Sequence, residues 1–252
     1  MRLARFIHND SPTWGIVEAG IVYLAQGSVY ESPTRGPAVA PIDQVTLLAP
    51  CDATKIIGAA QNYHRDWLAS RRNLPPVPRY FLRPPTSLTG HLGALIYPPD
   101  STDLIHEAEL ALVIRRPARY VSAAEAPDYI LGYTCANDVT AADFLRVDRI
   151  PDRGKSIDTL CPLGPTLVTD LDPLAVTITC RVNGEVKQHA PTTEMVVGPY
   201  EYVAFVSRHM TLLPGDVILT GSPLGMSRLH PGDVVEVEIP GIGVLRNPVA
   251  IG

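Results

Sequence analysis

The chain has 252 residues, of which 46% are hydrophobic and 19% are charged, so it can bury a sizeable core and is not a disordered chain. Its formal net charge is -5 and no basic patch is evident, which argues against nucleic acid as a partner. The N-terminal residues lack the apolar stretch of a signal peptide, and no later run approaches membrane-spanning length. We therefore expect a cytoplasmic protein with no membrane partner.

The 25 prolines limit the length of regular segments, which favours short strands joined by turns over long helices. The four cysteines are widely spaced and form no CxxC pair, so neither a zinc site nor a disulfide framework is predicted. Together these features predict a mainly β chain with a few short helices and reduced, mostly buried thiols.

Residues 1–48 are predicted to form a small N-terminal β unit. The segment from Leu3 to Ile7 alternates in hydrophobicity, and further short strands begin near Trp14 and Ile21 after turns. Residues 33–41 are rich in Gly and Pro, as is typical of a linker. This unit carries no constellation of charged or aromatic residues, so we expect it to have a structural or oligomeric role.

The next segment has the features of a lid. Residues 55–60 form a short apolar strand that leads to Gln61-Asn62-Tyr63, and residues 64–72 then have helical spacing without a strong apolar stripe. Prolines from residue 75 onward interrupt this pattern. A short, weakly anchored helix between a strand and a Pro-rich loop is typical of a lid over a binding site.

The central feature of the sequence is a pair of acids, Glu107 and Glu109, directly before the strand-forming run 110–114. Side chains two apart on a strand point to the same face, so these carboxylates converge and need a cation or a proton between them. Asp138 supplies a third carboxylate at the end of another apolar segment. Three oxygen ligands suit a hard divalent ion such as Mg²⁺ or Mn²⁺, although an exposed strand face with solvated acids has the same spacing.

Several later elements are predicted from local signals. Ser122 and Glu125 form a capping-box pattern at the start of a candidate helix over 122–129, and a second short helix is predicted near 143–150. Asn183-Gly184 between two strand-like runs predicts a β-hairpin with a type I′ turn. Residues 199–210 have helical periodicity, and the final third closes with Pro-Gly-Asp turns followed by alternating strands.

The order of motifs resembles the fumarylacetoacetate hydrolase family over roughly residues 52–250. The matching segments are Asn62-Tyr63, Phe81 to Ser87, Glu107-Ala108-Glu109-Leu110, Gly132 to Asp138, Gly154 to Thr159, Pro162 to Pro165, Val182 to Glu185, Thr192 to Met195, and Leu213 to Pro223. Each motif alone is a weak signal, and it is their common order that carries the resemblance.

The resemblance implies a mixed β-sandwich roll over 52–252, preceded by the N-terminal β unit at 1–48. It also implies one Mg²⁺ or Mn²⁺ in a protein that is usually a homodimer and binds 2-oxo or 2,4-dioxo acids. By position, the implied metal ligands are Glu107, Glu109 and Asp138. The implied catalytic lysine is Lys155. The implied substrate contacts are Thr192, which helps to hold a carboxylate, and Gly221 with Ser222 in the turn beside the same pocket.

The implied chemistry agrees with the physical properties of these residues. A bound divalent ion polarises the carbonyl of a 2-oxo acid and stabilises a developing enolate, which is common to C–C hydrolysis, decarboxylation and keto–enol isomerisation. Lys155 would hold anionic oxygen as a cation, and Gly221 allows the substrate to approach the backbone closely. On sequence alone, Lys155 could equally be a solvated surface lysine and Thr192 an ordinary turn residue.

The sequence departs from the family at the lid. In family hydrolases and decarboxylases, Asn-Tyr is followed by two residues and then a histidine, with a glutamate three further on, and this pair activates or positions water. Asp66 and Ala69 occupy those positions here, and His64 lies two residues too early. Either His64 or Asp66 takes over the acid–base role, or the reaction needs no activated water.

A second departure is Arg83, where the family often has lysine. Arginine can clamp a substrate carboxylate through two hydrogen bonds but cannot act as a base. His106, next to the first glutamate, would face away from Glu107 on a strand, which favours a structural or supporting role over metal ligation.

Three functions remain open from the sequence. C–C hydrolysis of an acylpyruvate-type substrate is the family default, whereas the missing lid pair favours an isomerase, a decarboxylase or a biosynthetic dehydratase. A non-catalytic protein that binds metal and a small acid is the third. Retention of Lys155 and of all three metal-ligand carboxylates argues for an enzyme.

Overall fold

The computed structural model describes residues 1–64 and 77–252. This part of the chain is mainly β, with mixed sheets and three short α-helices, which confirms the expected fold class. The α-helices are α1 (Ala142–Asp148), α2 (Asp152–Lys155) and α3 (Pro199–His209), and short 3-10 helices lie at Ile42–Gln44, Pro85–Ser87, Ala126–Tyr129 and Thr192–Glu194. In chain order the strands are β1 (Arg2–His8), β2 (Ser11–Glu18), β3 (Ile21–Gln26), β4 (Thr34–Pro41), β5 (Leu47–Leu48), β6 (Ile56–Ala60), β7 (Arg79–Arg83), β8 (Leu88–Thr89), β9 (Leu95–Tyr97), β10 (Leu104–Ile105), β11 (Ala108–Ile114), β12 (Ile130–Asn137), β13 (Thr140–Ala141), β14 (Cys161–Val168), β15 (Thr177–Val182), β16 (Glu185–Pro191), β17 (Val217–Leu219), β18 (Val234–Ile239) and β19 (Gly243–Ile251).

One large sheet runs through both halves of the chain in the order β4-β3-β2-β1-β14-β12-β11-β17-β6-β7. Most neighbouring strands are antiparallel, whereas β17 and β6 are parallel. The N-terminal strands join this sheet through β1, which pairs with β14. The N-terminal β unit is therefore part of the same sheet as β11 and β12, with β14 between them.

The linker expected at 33–41 is instead a strand. Residues Thr34–Pro41 form β4, which pairs with β3 at the outer edge of the large sheet. An edge strand tolerates proline because only one of its sides needs backbone N–H donors, and the register shifts along β3 and β4 absorb the irregularity. Pro and Gly enrichment alone did not distinguish a linker from an edge strand.

The centre of the sheet explains how the acids come together. Every residue of β11 is buried, as the apolar run 110–114 predicts, and β11 pairs antiparallel with β12 so that Glu109 lies opposite Ala136. The start of β11 therefore meets the end of β12 at one edge. On its other side β11 pairs with β17, and this brings Thr220 and Gly221 to the same edge.

A second sheet, in the order β16-β15-β18-β19-β9, packs against the first around a shared apolar core. Leu110 and Leu112 of the large sheet lie in the same buried cluster as Ile178 and Val237 of the second. The hairpin between β15 and β16 confirms the predicted type I′ turn, because Asn183 and Gly184 have φ values of 53° and 81°.

The helix predictions had mixed success. The predicted helices near 143–150 and 199–210 correspond to α1 and α3. The predicted helix over 122–129 was wrong in extent, since only the 3-10 helix Ala126–Tyr129 forms. Ser122 does donate its hydroxyl to the carboxylate of Glu125 at 2.6 Å, but Pro127 has no N–H to continue an α-helix. Among the described residues, no helix has the length and apolar character needed to span a membrane.

Candidate metal and substrate site

Glu107, Glu109 and Asp138 converge at the edge where β11 begins and β12 ends. One carboxylate oxygen from each lies within 4.8 Å of the others. Glu107 precedes the first residue of β11, so strand alternation alone does not align the two glutamates. A backbone hydrogen bond holds Glu107 beside Asp138, because the Asp138 N–H donates to the Glu107 carbonyl at 2.8 Å. The predicted acidic cluster is thus present as a geometric unit.

Glu109 is the most deeply placed carboxylate of the three. It is 1% exposed and accepts one backbone hydrogen bond, from the Gly221 N–H at 2.5 Å. Burial, with the negative charge of Asp138 nearby, raises the pKa of Glu109 well above its ordinary value. Gly221 has φ +91°, and a Cβ at this position would lie 2.7 Å from Cβ of Asn62. Only glycine therefore presents its N–H here without strain.

Asp138 is held by two cations. Its carboxylate contacts the ammonium of Lys155 and the guanidinium of Arg83. Although burial opposes the charged form, Lys155 and Arg83 together lower the pKa of Asp138. Asp138 is therefore an anion in a fully paired setting, in contrast to Glu109.

Lys155 lies inside the site and is not a surface lysine. It is 3% exposed, and its Nζ donates to Glu107 Oε2 at 3.0 Å and to the Asp138 carbonyl at 2.9 Å. Burial opposes its charge, yet Asp138 and Glu107 raise the pKa of Lys155. The ring of Phe81 lies 4.9 Å from Nζ, which adds a cation–π contact. Lys155 is thus fixed as a cation beside the acids.

Arg83 lies behind Asp138. Its guanidinium donates to the Val139 carbonyl at 3.2 Å and to the Leu160 carbonyl at 2.9 Å, in addition to the Asp138 carboxylate. With 1% of its surface exposed, Arg83 orients Asp138 in this structure. The predicted role of Arg83 as a direct clamp on substrate stays a prediction.

Thr192 and Ser222 differ in the hydrogen bonds that their hydroxyl groups make within the protein. Thr192 is buried, and its hydroxyl donates to the Val176 carbonyl at 3.1 Å, so its predicted contact with substrate stays a prediction. Ser222 follows Gly221 directly and is 8% exposed, with its Oγ 2.7 Å from the side-chain nitrogen of Gln188.

The two lid residues are not brought into the site by the described structure. His64 is exposed and is the last residue before the undescribed range. Asp66 lies within residues 65–76, outside the described residues, as does the rest of the predicted lid. Their acid–base role stays a prediction.

The charges at this edge indicate what the site could hold. Three carboxylates face the two cations Lys155 and Arg83, and burial together with the negative charge of Asp138 raises the pKa of Glu109. A carboxylate-only donor set is the kind that hard divalent cations prefer. The residues present therefore fit a Mg²⁺- or Mn²⁺-type ion held by Glu107, Glu109 and Asp138.

Sequence reasoning missed three supporting residues. Thr140 donates its hydroxyl to Glu107 Oε1 at 2.8 Å, and its position two residues after Asp138 was a usable signal. Asn62 donates its amide to the carbonyls of Val197 and Thr220, each at 2.8 Å, and so holds the turn before Gly221. Gln188 gave no sequence signal at all, because the partners of its side chain lie in two distant segments, at residues 106–108 and 222–223.

Comparison with known proteins identifies both parts of the chain. The family described as Fumarylacetoacetate (FAA) hydrolase C-terminal matches residues 55–250, and the one described as Rv2993c-like, N-terminal matches residues 1–50. Protein Rv2993c of Mycobacterium tuberculosis is 43% identical over 260 residues, which cover 99% of this chain and 98% of that protein.

Two further relatives have names that state an activity. A mitochondrial oxaloacetate tautomerase of Rattus norvegicus is 38% identical over 246 residues, which cover 91% of this chain and 79% of that protein. The crystal structure of 5-carboxymethyl-2-hydroxymuconate delta-isomerase from Mycobacterium smegmatis superposes with a TM-score of 0.94 at 39% identity and covers 100% of both chains.

Proposed function

Because the chain belongs to the fumarylacetoacetate hydrolase family, we propose that it is a divalent-metal-dependent tautomerase or isomerase of a 2-oxo acid. The relatives named for activity support this choice, since a tautomerase and a delta-isomerase both move a proton within their substrate. Oxaloacetate, a small 2-oxo diacid, is the first substrate to test.

The observation that carries the proposal is the convergence of Glu107, Glu109 and Asp138 beside Lys155. These three carboxylates would hold the metal ion, which when bound polarises the ketone oxygen of a 2-oxo acid and so acidifies the neighbouring C–H. A substrate with both a carboxylate and a ketone oxygen matches such a site because it can offer two oxygens at once.

The protein's own residues stabilise the negative charge that develops on the substrate. Lys155 supplies a fixed ammonium, which its contacts to Asp138 and Glu107 orient before substrate arrives. Its raised pKa keeps it protonated, so it acts as an electrostatic anchor and not as the base. Arg83 and Thr140 hold the acids in place from behind.

The reaction must also move a proton between a substrate carbon and the enol oxygen. Histidine is the residue type best suited to that exchange near neutral pH, and His64 is exposed where the chain enters the lid segment. We propose His64 for this role, with Asp66 as the second candidate. Tautomerisation needs no activated water, so the absence of the family's His–Glu pair from the lid sequence favours it over hydrolysis.

The proposal also covers the domain boundaries, the oligomeric state and the cellular location. We propose a catalytic domain over 52–252 and an N-terminal unit over 1–48, which supplies none of the site residues named above. A homodimer and a cytoplasmic location belong to the same proposal, and size-exclusion chromatography with light scattering tests the first of these.

The experiment that tests the function is product analysis on the purified protein with Mg²⁺ or Mn²⁺. We expect faster decay of the enol absorbance of oxaloacetate, no CO₂ release above the uncatalysed rate, and no cleavage of acetylpyruvate. CO₂ release or a cleaved acid would replace the tautomerase by a decarboxylase or a hydrolase. Metal binding with no turnover of either compound would favour a non-catalytic protein.

Lys155→Met tests the role of the ammonium within the same assay. We expect a loss of turnover of about 10²-fold or more, as for removal of a single preorganised electrostatic group. Lys187→Met is the matched control, because Lys187 pairs with Glu185 at 2.7 Å on the outer strand β16. Equal rates in the two variants would contradict the role assigned to Lys155.

A further inference from the structure

We propose that His106 and Gln188 are positioning residues that make the Ser222 hydroxyl an obligate hydrogen-bond donor to the substrate. Together the three side chains form a buried relay in which every hydrogen bond points in one direction. The inference rests on the proposed function, because the acceptor at the end of the relay is an anionic oxygen of the substrate acid.

The relay begins at His106, which is fully buried. The backbone N–H of Ser227 lies 3.1 Å from His106 Nε2, and a backbone N–H can only donate. Nε2 therefore carries the lone pair, and the hydrogen of the neutral imidazole is on Nδ1. Nδ1–H points to Gln188 Oε1 at 3.0 Å, with Cys180 Sγ as a weaker neighbour at 3.3 Å.

The orientation of the Gln188 amide follows from its neighbours. Two donors face one end of it, namely the His106 Nδ1–H and the Ala108 N–H at 3.1 Å, so that end is the oxygen. The nitrogen end then donates one hydrogen to Ser222 Oγ at 2.7 Å and the other to the Pro223 carbonyl at 2.5 Å. Gln188 is 1% exposed, so water does not compete for these bonds.

The relay leaves the hydrogen of the Ser222 hydroxyl available. Ser222 Oγ accepts from Gln188, and its other contact, to the Pro223 carbonyl, is 3.5 Å long. That distance is too long for a good O–H···O bond, and the same carbonyl already receives the second Gln188 N–H. Ser222 adjoins Gly221, whose N–H binds Glu109. An anionic oxygen of substrate at the Glu109 end of the site is a fitting acceptor.

The loop that carries Ser222 is held against β16 at more than one point. Gln188 binds Ser222 and Pro223, and the backbone of Gly225 packs so closely that a Cβ there would lie 2.0 Å from the Lys187 carbonyl. His106 anchors the far end at Ser227. The hydroxyl is thus presented by a fixed backbone, which is the condition for a preorganised donor.

A double-mutant cycle on Ser222→Ala and Gln188→Met tests the relay. The assays are KM for oxaloacetate and the affinity of the Mg²⁺-loaded protein for oxalate, an unreactive analogue of the chelating end, by titration calorimetry. In each single variant we expect KM for oxaloacetate to rise and the affinity for oxalate to fall by about tenfold, the size of one hydrogen bond to a charged group. The kcat should change less than about twofold. The double variant should be no weaker than the weaker single, because both changes remove the same bond.

Conservative variants separate positioning from packing. Ser222→Thr keeps the hydroxyl and should keep wild-type oxalate affinity. His106→Asn places an amide nitrogen where Nδ1 stands and should bind oxalate more tightly than His106→Phe, which removes the donor. Ser207→Ala is the control. Ser207 lies in α3, and its buried hydroxyl accepts a hydrogen bond from the Val121 N–H, so the variant should lower stability without changing oxalate affinity.

Unchanged oxalate affinity in Ser222→Ala, or single effects that multiply in the double variant, would overturn the relay. Loss of stability alone, equal to that of Ser207→Ala and with normal affinity, would overturn it as well. Failure of the proposed function looks different: the wild type would bind oxalate but not turn over oxaloacetate, and the pattern of oxalate affinities would still decide for or against the relay.

Discussion

Two buried carboxylates in this molecule, Asp216 and Glu109, have opposite surroundings. Asp216 accepts hydrogen bonds from the backbone N–H groups of Thr54, Lys55 and Leu213 and from the Thr54 hydroxyl, and it contacts the Lys55 ammonium. Among the described residues, Glu109 accepts a hydrogen bond from the Gly221 N–H and faces two further carboxylates. The first is a fully satisfied structural anion, whereas the second is buried without enough positive charge.

The difference shows how a structural acid can be told from a site acid. Asp216 directly precedes the apolar strand β17, Glu109 is the second residue of β11, and both are almost fully buried. They differ in the number of hydrogen-bond donors around them and in the charge of their neighbours. Burying a carboxylate without enough donors destabilises the fold. Such a carboxylate therefore indicates a site where a bound cation supplies the missing interactions.

The largest predicted effect is the loss of folding stability on replacing Asp216, the carboxylate with many hydrogen-bond donors. Asp216→Ala leaves the Lys55 ammonium and several backbone N–H groups without their partner, and we expect a loss of about 3–5 kcal/mol in the free energy of unfolding. Urea unfolding followed by circular dichroism measures it. The variant should retain the wild-type affinity for Mg²⁺ as long as it is folded, and a loss below about 1 kcal/mol would contradict the structural role.

A divalent metal ion should stabilise the folded protein by binding at Glu109 and the two neighbouring carboxylates. At a free ion concentration about 100-fold above Kd, Mg²⁺ or Mn²⁺ is expected to add about 2.7 kcal/mol to the free energy of unfolding. Differential scanning calorimetry with and without chelator measures the gain. Asp216→Asn, measured alongside, should show the same gain because the acidic cluster is intact. No gain in the wild type with either ion would contradict the metal assignment.

Glu109→Gln should have the opposite sign in metal-free and metal-loaded protein. Without metal, replacing this carboxyl group, whose ionisation burial opposes, is expected to stabilise the fold at neutral pH by about 1 kcal/mol, or roughly 2–4 °C in Tm for a chain of this length. With metal, the variant should lack the gain seen in the wild type. A lower Tm than wild type in the absence of metal would show that Glu109 is already adequately paired.

The pH dependence of the metal-free protein follows from the same carboxylate. Because the pKa of Glu109 is raised in the folded state, its contribution to stability is present in full below the ordinary pKa of glutamate. It is lost as pH rises through the folded-state value. Glu109→Gln should therefore lose less stability than wild type over this rise, as measured by Tm across a pH series. Parallel pH profiles would contradict the assignment.

The smallest expected signal concerns the cysteines. Burial raises the pKa of Cys51, Cys135, Cys161 and Cys180 to about 12 each, and Cys161 lies near Arg83 and Asp138 in the wall of the site. We expect no rapid reaction of the native protein with a thiol reagent at pH 8 and release of all four thiols in denaturant. Rapid labelling of Cys161 would show that the site wall is open to solvent.

The sequence predicted much of this arrangement, for identifiable reasons. The run 110–114 and the Asn183-Gly184 turn are local signals, and the structure confirms a buried strand and a hairpin there. The acidic cluster was predictable because its members flank apolar strands. The Gln188 relay was not, since its partners at residues 106, 108 and 222 meet only after the two sheets pack. No spacing rule connects them.

Lys155 illustrates a middle case. A lone lysine in a polar stretch looks like a surface residue, and only the resemblance to a family suggested otherwise. Its burial depends on α2, a four-residue helix that packs Gly154 against the Ala141 carbonyl, where a Cβ would lie at 2.8 Å. Long-range packing of this kind leaves no periodic trace in the sequence.

The most direct test of the central claim is the rate of enol-to-keto conversion of oxaloacetate by wild type and Glu109→Gln, each with Mg²⁺ and with chelator. The account predicts turnover only in the wild type with metal, and recovery after chelation when Mg²⁺ is restored. Equal turnover with and without metal, or full activity in Glu109→Gln, would contradict the claim that the reaction needs a divalent ion held by Glu107, Glu109 and Asp138.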